Sequence, residues 1–403
     1  MQNIKVTLPE EKTILEQLAK RTDAEARRIE RFLVMPDLSR TADSPLAEMV
    51  QRILAIPDFK DFDILEIPEI VPADISFDLF DFPADHPARS KSDTYYVDEK
   101  NILRTHTTVM WYYHMLNAET KKRMAAGEAV GGFSFGKVYR KDEIDRHHMN
   151  VFHQIDGWYL APKEKQIIGE ADLKKVLSEI AKAIFGAEVK YRFNPDTFPY
   201  THPSLEMEVQ VKNDDGSPSS GDFGRTPPEL LATERGAQWV EVLGSGVVKG
   251  SVLEKFGIDS SKWTGWAFGF GLERLAILSM DLPDIRLLWS QDERVKKQLK
   301  LGNQFKEVSK YPPITRDISF VVDKNFVPND YFDLIRDSGG DLVEEVKLLD
   351  SYENEEKFGS GTISYTYRIV YRSNERTLLS SEIDPIQAKV YSETATQFKA
   401  ELR

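Results

Sequence analysis

Strand-like runs fill the middle of this chain, and their spacing constrains the fold more than any other feature. They surround a helical segment, ADLKKVLSEIAKAIFG, and follow one another at hairpin-like intervals. Strands enclosed by few helices favour antiparallel pairing over alternating parallel units, so the sequence predicts an antiparallel sheet with flanking helices. The runs are KVYR, NVFHQIDGWYL, VKYRF, SLEMEVQVK and WVEVLGSGVV.

Helical periodicity marks three segments. Residues 10–34 are expected to form a charged helix, and residues 46–54 a short amphipathic one. Residues 171–186 carry apolar side chains at helical spacing and end on Gly186, a common helix stop. Residues 213–229 are rich in turn formers and predict a surface loop. The apolar residues on one face are Leu46, Met49, Val50, Ile53 and Leu54 in the second helix, and those at helical spacing in the third are Leu173, Val176, Leu177, Ile180, Ala181 and Ile184.

Composition excludes several classes of protein. No apolar run approaches the roughly eighteen residues of a membrane span. The chain has no cysteine, which excludes disulfides, thiolate metal sites and a cysteine nucleophile. A net charge of -13 argues against indiscriminate nucleic-acid binding, so a nucleic-acid partner would meet a local basic patch. The N-terminus lacks the features of a signal or transit peptide, which favours the cytoplasm unless a presequence is missing.

The strand NVFHQIDG places unlike chemistry on its two faces. Alternation puts Phe152, Gln154 and Asp156 on one face, and His153 and Ile155 on the other. An amide beside a carboxylate suits an ammonium group, and a flat aromatic ring suits a purine. This face therefore predicts a site for an amino acid and a nucleotide.

Arg140 ends the preceding strand-like run, and a hairpin would bring its guanidinium near the same face. Arginine can clamp a phosphate through two parallel hydrogen bonds, whereas lysine cannot. Together, residues 138–157 indicate a site where ATP activates an amino acid. The alternative is an amphipathic hairpin that carries surface polar residues.

A second cluster of interest is GWAFGFGLERLAIL, residues 265–278, where glycines precede a predicted helix. Arg274 lies near the helix N-terminus, where the helix dipole disfavours a cation. An anionic or π-rich partner is therefore expected to hold it there. The alternative is a structural glycine turn.

The C-terminal part follows a different plan. From Ile314 the order is strand, helix, strand, strand, helix, which predicts a ferredoxin-like βαββα(β) unit. Arginines and tyrosines on opposite faces of its third strand suit recognition of a single-stranded RNA loop. The alternative is an edge strand with solvated arginines and a tyrosine core face. The arginines are Arg368, Arg372 and Arg376, and the tyrosines are Tyr365, Tyr367 and Tyr371.

Several blocks of the sequence resemble known motifs. VYRKDEIDRHHMNVFHQIDG resembles the second signature motif of class II aminoacyl-tRNA synthetases, and GFGLERLA resembles the third. FPYTHPS and PDIRLLW are similar to the phenylalanyl-tRNA synthetase family. ADHPARSKSDTYYV and SKYPPITRDISF resemble more narrowly its single-chain, mitochondrial-type form. The resemblance covers nearly all of residues 80–403.

This resemblance implies an α+β fold. A class II antiparallel-sheet catalytic core with flanking helices is followed by a ferredoxin-like anticodon-binding domain. The expected divisions are a helical N-terminal extension, a catalytic domain, a linker and the anticodon-binding domain, at residues 1–75, 76–300, 301–312 and 313–403.

The resemblance also implies site residues. Arg140 would bind the ATP α-phosphate, Phe152 and Arg274 would sandwich the adenine, and Glu241 would hold Mg²⁺. His148 would reach the β- or γ-phosphate, and Asp142 would help to place the adenosine. The amino acid would be held by His106, Thr108, Gln154 and Asp156, with Phe198, Tyr200 and Ala267 around its side chain.

Three of these positions depart from the family pattern. Thr108 stands where serine is frequent, Asp156 where glutamate is frequent, and Tyr200 where phenylalanine is usual. The first two changes keep the hydrogen-bonding group. Tyr200 puts a hydroxyl at or near the pocket, where it bears on selectivity for the substrate side chain.

The implied activity is ligation of L-phenylalanine to tRNA-Phe through an enzyme-bound adenylate, with transfer to the 2′-hydroxyl of the terminal adenosine. No stretch is left over for an editing domain, so little or no editing is expected. A monomer is favoured, and a homodimer is the alternative. Two rivals stay open: an amino-acid-activating paralogue that does not use tRNA, and a catalytically silent RNA-binding or regulatory protein.

Overall fold

A large sheet that is mostly antiparallel organises the first three quarters of the chain. The computed structural model describes residues 2–211, 238–307 and 311–403. The surface loop predicted at residues 213–229 lies outside the described residues. The strands are β1 Asn3–Lys5, β2 Asp63–Glu66, β3 Ile70–Pro72, β4 Asn101–Leu103, β5 Val130–Tyr139, β6 Val151–Pro162, β7 Tyr191–Asp196, β8 Thr201–Val211, β9 Gln238–Val248, β10 Trp263–Gly271, β11 Ile314–Asp323, β12 Val343–Tyr352, β13 Thr362–Tyr371 and β14 Glu401–Leu402.

Helices flank this sheet and a second, smaller one. The α-helices are α1 Glu11–Leu18, α2 Ala24–Val34, α3 Pro45–Leu54, α4 Ala73–Phe77, α5 Met110–Leu116, α6 Ala118–Ala125, α7 Glu170–Phe185, α8 Gly250–Lys255, α9 Leu272–Met280, α10 Glu293–Lys296, α11 Pro328–Gly339, α12 Glu355–Phe358 and α13 Ser380–Phe398. Short 3-10 turns lie at Pro57–Phe59, Asp78–Phe80, Pro87–Arg89, Thr107–Val109, Ile285–Trp289 and Gly340–Leu342. Within the described ranges, no helix is long and apolar enough to cross a membrane.

The large sheet has the strand order β1-β2-β5-β6-β10-β9-β8-β7. From β5 to β7 every neighbouring pair is antiparallel, while β1 and β2 join the edge in parallel. The predicted antiparallel sheet is therefore confirmed for its central strands. A separate short pair, β3 with β4, lies beside it.

One face of the large sheet is covered by α3, α7 and α9, which share a buried core with it. Helix α3 begins where Ser44 accepts a hydrogen bond from the Leu46 backbone N–H, and Pro45 occupies its first turn. Helix α7 buries all six predicted apolar residues and ends at Gly186, whose φ of +93° suits glycine. Helices α4, α5 and α8 cover part of the opposite face, in a second buried core that includes Trp158 and Ala267. The rest of that face is left open to form a site.

The N-terminal segment differs from its prediction in two ways. The expected charged helix over residues 10–34 is two helices, because the chain breaks after α1 and Asp23 caps α2 by accepting from the Ala26 N–H. The expected helical extension, residues 1–75, also contributes β1 and β2 to the large sheet. This segment is therefore part of the core domain rather than an appendage.

The C-terminal domain matches the predicted βαββα(β) order. Its sheet has the order β12-β13-β11-β14, and the closing strand β14 is two residues long. Its core buries Tyr367 and Tyr371, and the Tyr371 hydroxyl donates to Gln387 Oε1 at 2.9 Å. These two tyrosines are core residues, so the expectation that they stack on RNA bases is wrong.

A buried carboxylate ties the N-terminal strands to the large sheet. Asp63 in β2 has no exposed side-chain surface and accepts from the Gln2 backbone N–H at 2.8 Å, from Arg123, and from His114 Nε2 at 3.1 Å. His114 Nδ1 in turn accepts from the indole N–H of Trp158 at 2.9 Å. Although burial opposes it, the hydrogen bonds from His114 and Arg123 hold the pKa of Asp63 below its usual value.

We expect Asp63→Ala to lower the free energy of unfolding of the core domain by about 3 kcal/mol, because it leaves buried partners unpaired. Urea denaturation followed by tryptophan fluorescence measures this. The matched control is Glu66→Ala on the same strand, whose pair with Lys5 is exposed and is expected to change stability by less than about 0.5 kcal/mol. Equal effects from both variants would contradict the role given to Asp63.

Candidate active site

The hairpin of β5 and β6 brings Arg140 to the open face of the sheet, as the sequence predicts. The Arg140 backbone N–H donates to the Asn150 carbonyl at 3.0 Å, which extends the ladder beyond β5. Its guanidinium lies 5.3 Å from the centre of the Phe152 ring, and Nε donates to the Thr105 carbonyl at 3.1 Å. The cation is thereby aimed along the open face.

Strand β6 alternates as predicted. His153 and Ile155 are fully buried towards the helices, while Phe152 and Gln154 are partly exposed on the open face. Asp156 shares that open face but is buried, because neighbouring elements enclose it. The strand therefore presents an aromatic ring, an amide and a carboxylate in one row.

The Asp156 carboxylate is held from two sides. It accepts hydrogen bonds from the hydroxyls of Thr107 and Thr108, the second at 2.6 Å. Gly269 lies opposite on β10, and a Cβ there would come within 2.5 Å of Asp156 Oδ1. Burial raises the pKa of Asp156 to about 6, against the lowering effect of the threonine hydroxyls and Arg140. The absence of a side chain at Gly269 thus makes room for this group.

Two further buried acceptors flank this group: Gln154 lies near Asp156 along β6, and His106 lies next to the threonines that bind Asp156. His106 Nε2 lies 3.2 Å from the Ser76 carbonyl, and because a carbonyl only accepts, Nε2 carries the proton and Nδ1 is an acceptor. Burial lowers the pKa of His106 to about 3, so the ring is neutral near pH 7. Among the described residues, neither His106 Nδ1 nor Gln154 Oε1 has a hydrogen-bond partner, although both are buried. A buried set of acceptors suits an ammonium group.

A β-bulge places Glu241 on the open face. Glu206 in β8 pairs with Gly244, but Glu208 pairs with Glu241, so one extra residue in β9 shifts the alternation. Arg274, in the first turn of α9, donates to the Glu241 carbonyl at 3.2 Å, and its guanidinium lies 3.9 Å from the Glu241 carboxylate. The predicted anionic partner of Arg274 is therefore present.

Glu241 fits a divalent cation by its chemistry. Its carboxylate is nearly half exposed and has lone pairs to spare, and the neighbouring Glu206 has its pKa raised by burial and by the charge of Glu241. Hard carboxylate oxygens are the ligands that Mg²⁺ prefers. Since no group of three or more metal-ligating side chains occurs within the described ranges, the remaining ligands would come from phosphate and water.

Aromatic rings line the end of the site beyond Asp156. Phe198 and Tyr200 stack with centroids 6.1 Å apart, and Tyr200 meets the edge of Trp111 at 5.9 Å. Trp111 stacks on Trp158 at 4.8 Å, and Trp158 pairs with Ala267 across the β6–β10 ladder. Burial raises the pKa of the Tyr200 hydroxyl, which is therefore protonated.

Sequence reasoning missed the two tryptophans of this pocket. Trp158 lies two residues after Asp156, so the alternation of β6 could have placed it on the same face. Trp111 lies three residues after Thr108, at helical spacing. The register between β10 and β6 places Gly269 opposite Asp156. The glycines of the sequence predicted a turn or a close backbone approach, but not this pairing.

Two family models match the chain. The model described as tRNA synthetases class II core domain (F) matches residues 29–299, which include β2 and the helix α3. The model described as ferredoxin-fold anticodon binding domain matches residues 309–403. Together they cover most of both domains described above, while β1 and α1 lie before the first match.

Curated relatives match along most of their length. The chain is 38% identical over 349 residues to the chloroplastic/mitochondrial phenylalanine-tRNA ligase of Arabidopsis thaliana, which covers 84% of the chain and 72% of the relative. Identity is 34% to the mitochondrial enzyme of Mus musculus, over 82% of the chain and 73% of the relative. Identity is also 34% to the mitochondrial enzyme of Saccharomyces cerevisiae, over 81% of the chain and 80% of the relative.

The chain belongs to the phenylalanine-tRNA ligase family. The predicted class II core followed by a ferredoxin-fold anticodon-binding domain is thereby confirmed. Members of this ligase family are enzymes, and class II synthetases use ATP and Mg²⁺. The roles of individual site residues stay predictions.

In this ligase-family chain the β5–β6 loop, residues 140–150, is held by the C-terminal domain. Arg336 of α11 donates to the Asp142 carbonyl at 2.7 Å and also to the Glu143 carbonyl. The Ile144 side chain is buried in the core of the C-terminal domain, and its carbonyl accepts from the Val346 N–H at 3.0 Å. The loop that carries three predicted ATP ligands, Arg140, Asp142 and His148, thus rests on another domain.

A buried carboxylate anchors the same contact between domains. Asp333 of α11 accepts from the Tyr95 hydroxyl at 2.8 Å and from Asn150 Nδ2 at 3.1 Å, while Arg28 of α2 lies 3.1 Å away. Burial raises the pKa of Asp333, and Arg28 opposes that shift. These contacts fix the C-terminal end of the loop.

The predicted phosphate ligand His148 lies in this loop. Its Nδ1 is 2.6 Å from Asp145 Oδ2, and that hydrogen bond raises the pKa of the imidazole. Asp145 also accepts from the backbone N–H groups of His147 and His148. The contact favours a protonated His148, the form suited to an anionic ligand.

The three arginines predicted to contact tRNA all have carboxylate partners. Arg368 pairs with Asp317 through two 2.7 Å hydrogen bonds, while Arg372 pairs with Glu344 and Arg376 with Glu382, each at 2.7 Å. These pairs lower the charge that the arginines offer to a phosphate. A role in tRNA binding stays a prediction for all three.

We expect Arg336→Met to loosen the β5–β6 loop without unfolding either domain, because it leaves two carbonyls without their donor. Amide hydrogen exchange of residues 141–148 should become about tenfold faster. The matched control is Arg376→Met, which removes an exposed pair in the same domain. Unchanged exchange in the loop would show that Arg336 does not hold it.

Proposed function

We propose that this protein activates L-phenylalanine with ATP and transfers it to the 2′-hydroxyl of the terminal adenosine of tRNA-Phe. One observation carries the proposal: Arg140, Phe152 and the buried acceptors around Asp156 lie together along the open face of the sheet. Family membership supports the same activity. The order of these groups along the face suits a nucleotide at one end and an amino acid at the other.

In the first half-reaction, a carboxylate oxygen of phenylalanine attacks the α-phosphorus of ATP. The bond from that phosphorus to the bridging oxygen breaks, and pyrophosphate leaves. Arg140 binds the α-phosphate and stabilises the charge that builds in the transition state. Because the cation is already held by Thr105 and lies over Phe152, little reorganisation is needed when the reaction occurs.

The adenine stacks between Phe152 and Arg274, while His148 binds the β- or γ-phosphate and Asp142 helps to place the adenosine. Glu241 would hold Mg²⁺, which would neutralise phosphate charge when bound. The bulge in β9 supports this assignment, because it brings the Glu241 carboxylate to the open face, 3.9 Å from the Arg274 guanidinium. The protonated state favoured for His148 supports phosphate binding.

The ammonium group of phenylalanine binds to Asp156, Gln154 Oε1 and His106 Nδ1. The unpartnered acceptors support this assignment, since a bound ammonium would satisfy them. Thr108 orients the Asp156 carboxylate rather than binding the substrate directly, which refines the role expected for it. The side chain enters the pocket formed by Phe198, Tyr200 and Ala267.

The second half-reaction forms an ester. The 2′-hydroxyl attacks the adenylate carbonyl, the bond to AMP breaks, and the hydroxyl proton is released. The anticodon-binding domain recognises tRNA-Phe by contacting its single-stranded anticodon loop. The contacting residues include Arg368, Arg372 and Arg376. We propose that misactivated tyrosine is not edited, and that the protein works as a monomer, with a homodimer as the alternative.

The names of the relatives bear on the compartment. The three relatives are named mitochondrial or chloroplastic/mitochondrial, which supports the mitochondrial matrix among the two compartments predicted. The expectation that favours the cytoplasm finds no support in them. The rival functions, a paralogue without tRNA and a silent RNA-binding protein, are not favoured, because both domain models match.

The proposed function is tested by phenylalanine-dependent exchange of pyrophosphate into ATP and by charging of a tRNA-Phe transcript. We expect both activities in the native protein, and about a hundredfold loss of exchange in Arg140→Ala, because one charge-stabilising donor is removed. The control is Arg27→Ala, an exposed arginine of α2. Exchange without charging would favour the paralogue, and neither activity in folded protein would favour the silent protein.

The pKa of Asp156 predicts the pH dependence of phenylalanine use. Asp156 is charged above about pH 6 and protonated below it, and only the charged form attracts the ammonium group. We therefore expect kcat/KM for phenylalanine to fall about tenfold per pH unit below pH 6. Asp156→Asn should be less active and should lose this dependence. A flat profile in the native protein would contradict the assignment.

A further inference from the structure

We propose that His153 and Glu273 act as a positioning pair that sets the width of the adenine site. The inference rests on the proposed function, which places adenine between Phe152 and Arg274. Each member of the pair is the chain neighbour of one of those two residues. The pair lies on the opposite side of the sheet and does not touch the nucleotide itself.

Three contacts join the two residues. The Glu273 carboxylate accepts from the His153 backbone N–H at 3.0 and 2.9 Å, and from the ring Nδ1 at 2.6 Å. Both side chains are almost completely buried, at 0% and 4% exposed. Charge-assisted hydrogen bonds in such surroundings are short and directional, so they fix one residue against the other.

The carboxylate replaces a missing strand. The β6–β10 ladder ends where Gly271 pairs with Gln154, because the chain then turns into α9. At the next residue of β6, the Glu273 side chain accepts the His153 N–H. Glu273 therefore fixes where the first turn of α9 stands relative to β6, and with it the position of Arg274.

The two hydrogen bonds of the His153 ring fix its tautomer. Nε2 accepts a hydrogen bond from the Leu38 backbone N–H at 2.9 Å. The hydrogen of the neutral ring is therefore on Nδ1, which donates a hydrogen bond to Glu273. The carboxyl group of Asp37 lies 3.4 Å from Nε2 on the same side. His153 thus makes two separable links, one to α9 and one to the segment that precedes α3.

Two substitutions separate these links. His153→Asn keeps a donor where Nδ1 stands and loses the acceptor for Leu38. His153→Gln keeps an acceptor where Nε2 stands and loses the donor to Glu273. If the link to Glu273 sets the adenine site, only the second variant should affect ATP binding strongly.

The test measures KM for ATP and for phenylalanine in pyrophosphate exchange. We expect His153→Gln and Glu273→Gln to raise KM for ATP about tenfold, and His153→Asn to raise it less than about threefold. KM for phenylalanine should change less than about twofold in all three. Leu177→Ala removes a buried side chain of α7 and serves as the control for effects that come from lost stability alone. Thermal melting measures whether its loss of stability equals that of the test variants.

Equal KM for ATP in His153→Asn and His153→Gln would overturn the inference, as would parallel changes in KM for phenylalanine. If the native protein shows no exchange, the proposed function fails on its own. The inference is then decided by the equilibrium affinity for ATP in the same variants, measured by calorimetry. A weaker affinity in His153→Gln than in His153→Asn supports it, while equal affinities or no ATP binding overturn it.

Discussion

The alternation of side chains along β6 is the constraint on which the rest of the structure depends. One face of this strand must complete the helix-covered core, and the other must carry charge and hydrogen-bonding groups. A shift of one residue in its pairing would turn Asp156 towards the core and Ile155 towards the open face, which would disrupt both the core and the site. Pairing on both sides, with β5 and β10, keeps that register fixed. The core and the candidate site are therefore specified by the same ladder.

The site keeps polar groups in surroundings that penalise them. A buried acceptor without a partner costs about 1–3 kcal/mol. Neither His106 Nδ1 nor Gln154 Oε1 has a partner in the part of the chain that the structure describes. The raised pKa of Asp156 reflects the same penalty on a charge. Such groups persist because the fold holds them from behind, through Ser76, Thr107 and Thr108. A substrate that satisfies them recovers part of this free energy on binding.

Much of this arrangement could be predicted from the sequence, because it depends on local periodicity. The alternation of β6, the buried face of α7 and the order of the C-terminal elements follow from spacing alone. The bulge that turns Glu241 to the open face could not be predicted in this way, since an extra residue in β9 leaves no periodic signal. Its role was expected from family resemblance instead.

Contacts between distant segments account for the other differences. β1 is only three residues long, which is too short to give a recognisable sequence pattern. It forms a strand because it pairs with the edge strand β2. Tyr367 and Tyr371 are buried because helices cover their face of the sheet, and alternation alone does not tell which face is covered. Trp111 reaches the pocket through the packing of α5 against Trp158. Each of these features is decided by tertiary packing.

The burial of Ile144 in the C-terminal core has a consequence for how such a chain can change over time. The loop that carries it belongs to the catalytic domain in sequence but completes the core of its neighbour. The two domains are therefore not interchangeable modules, although each has a fold of its own. Recombination that exchanged one anticodon-binding domain for another would have to bring a compatible loop with it. The loop of one domain and the core of the other therefore constrain each other's sequence.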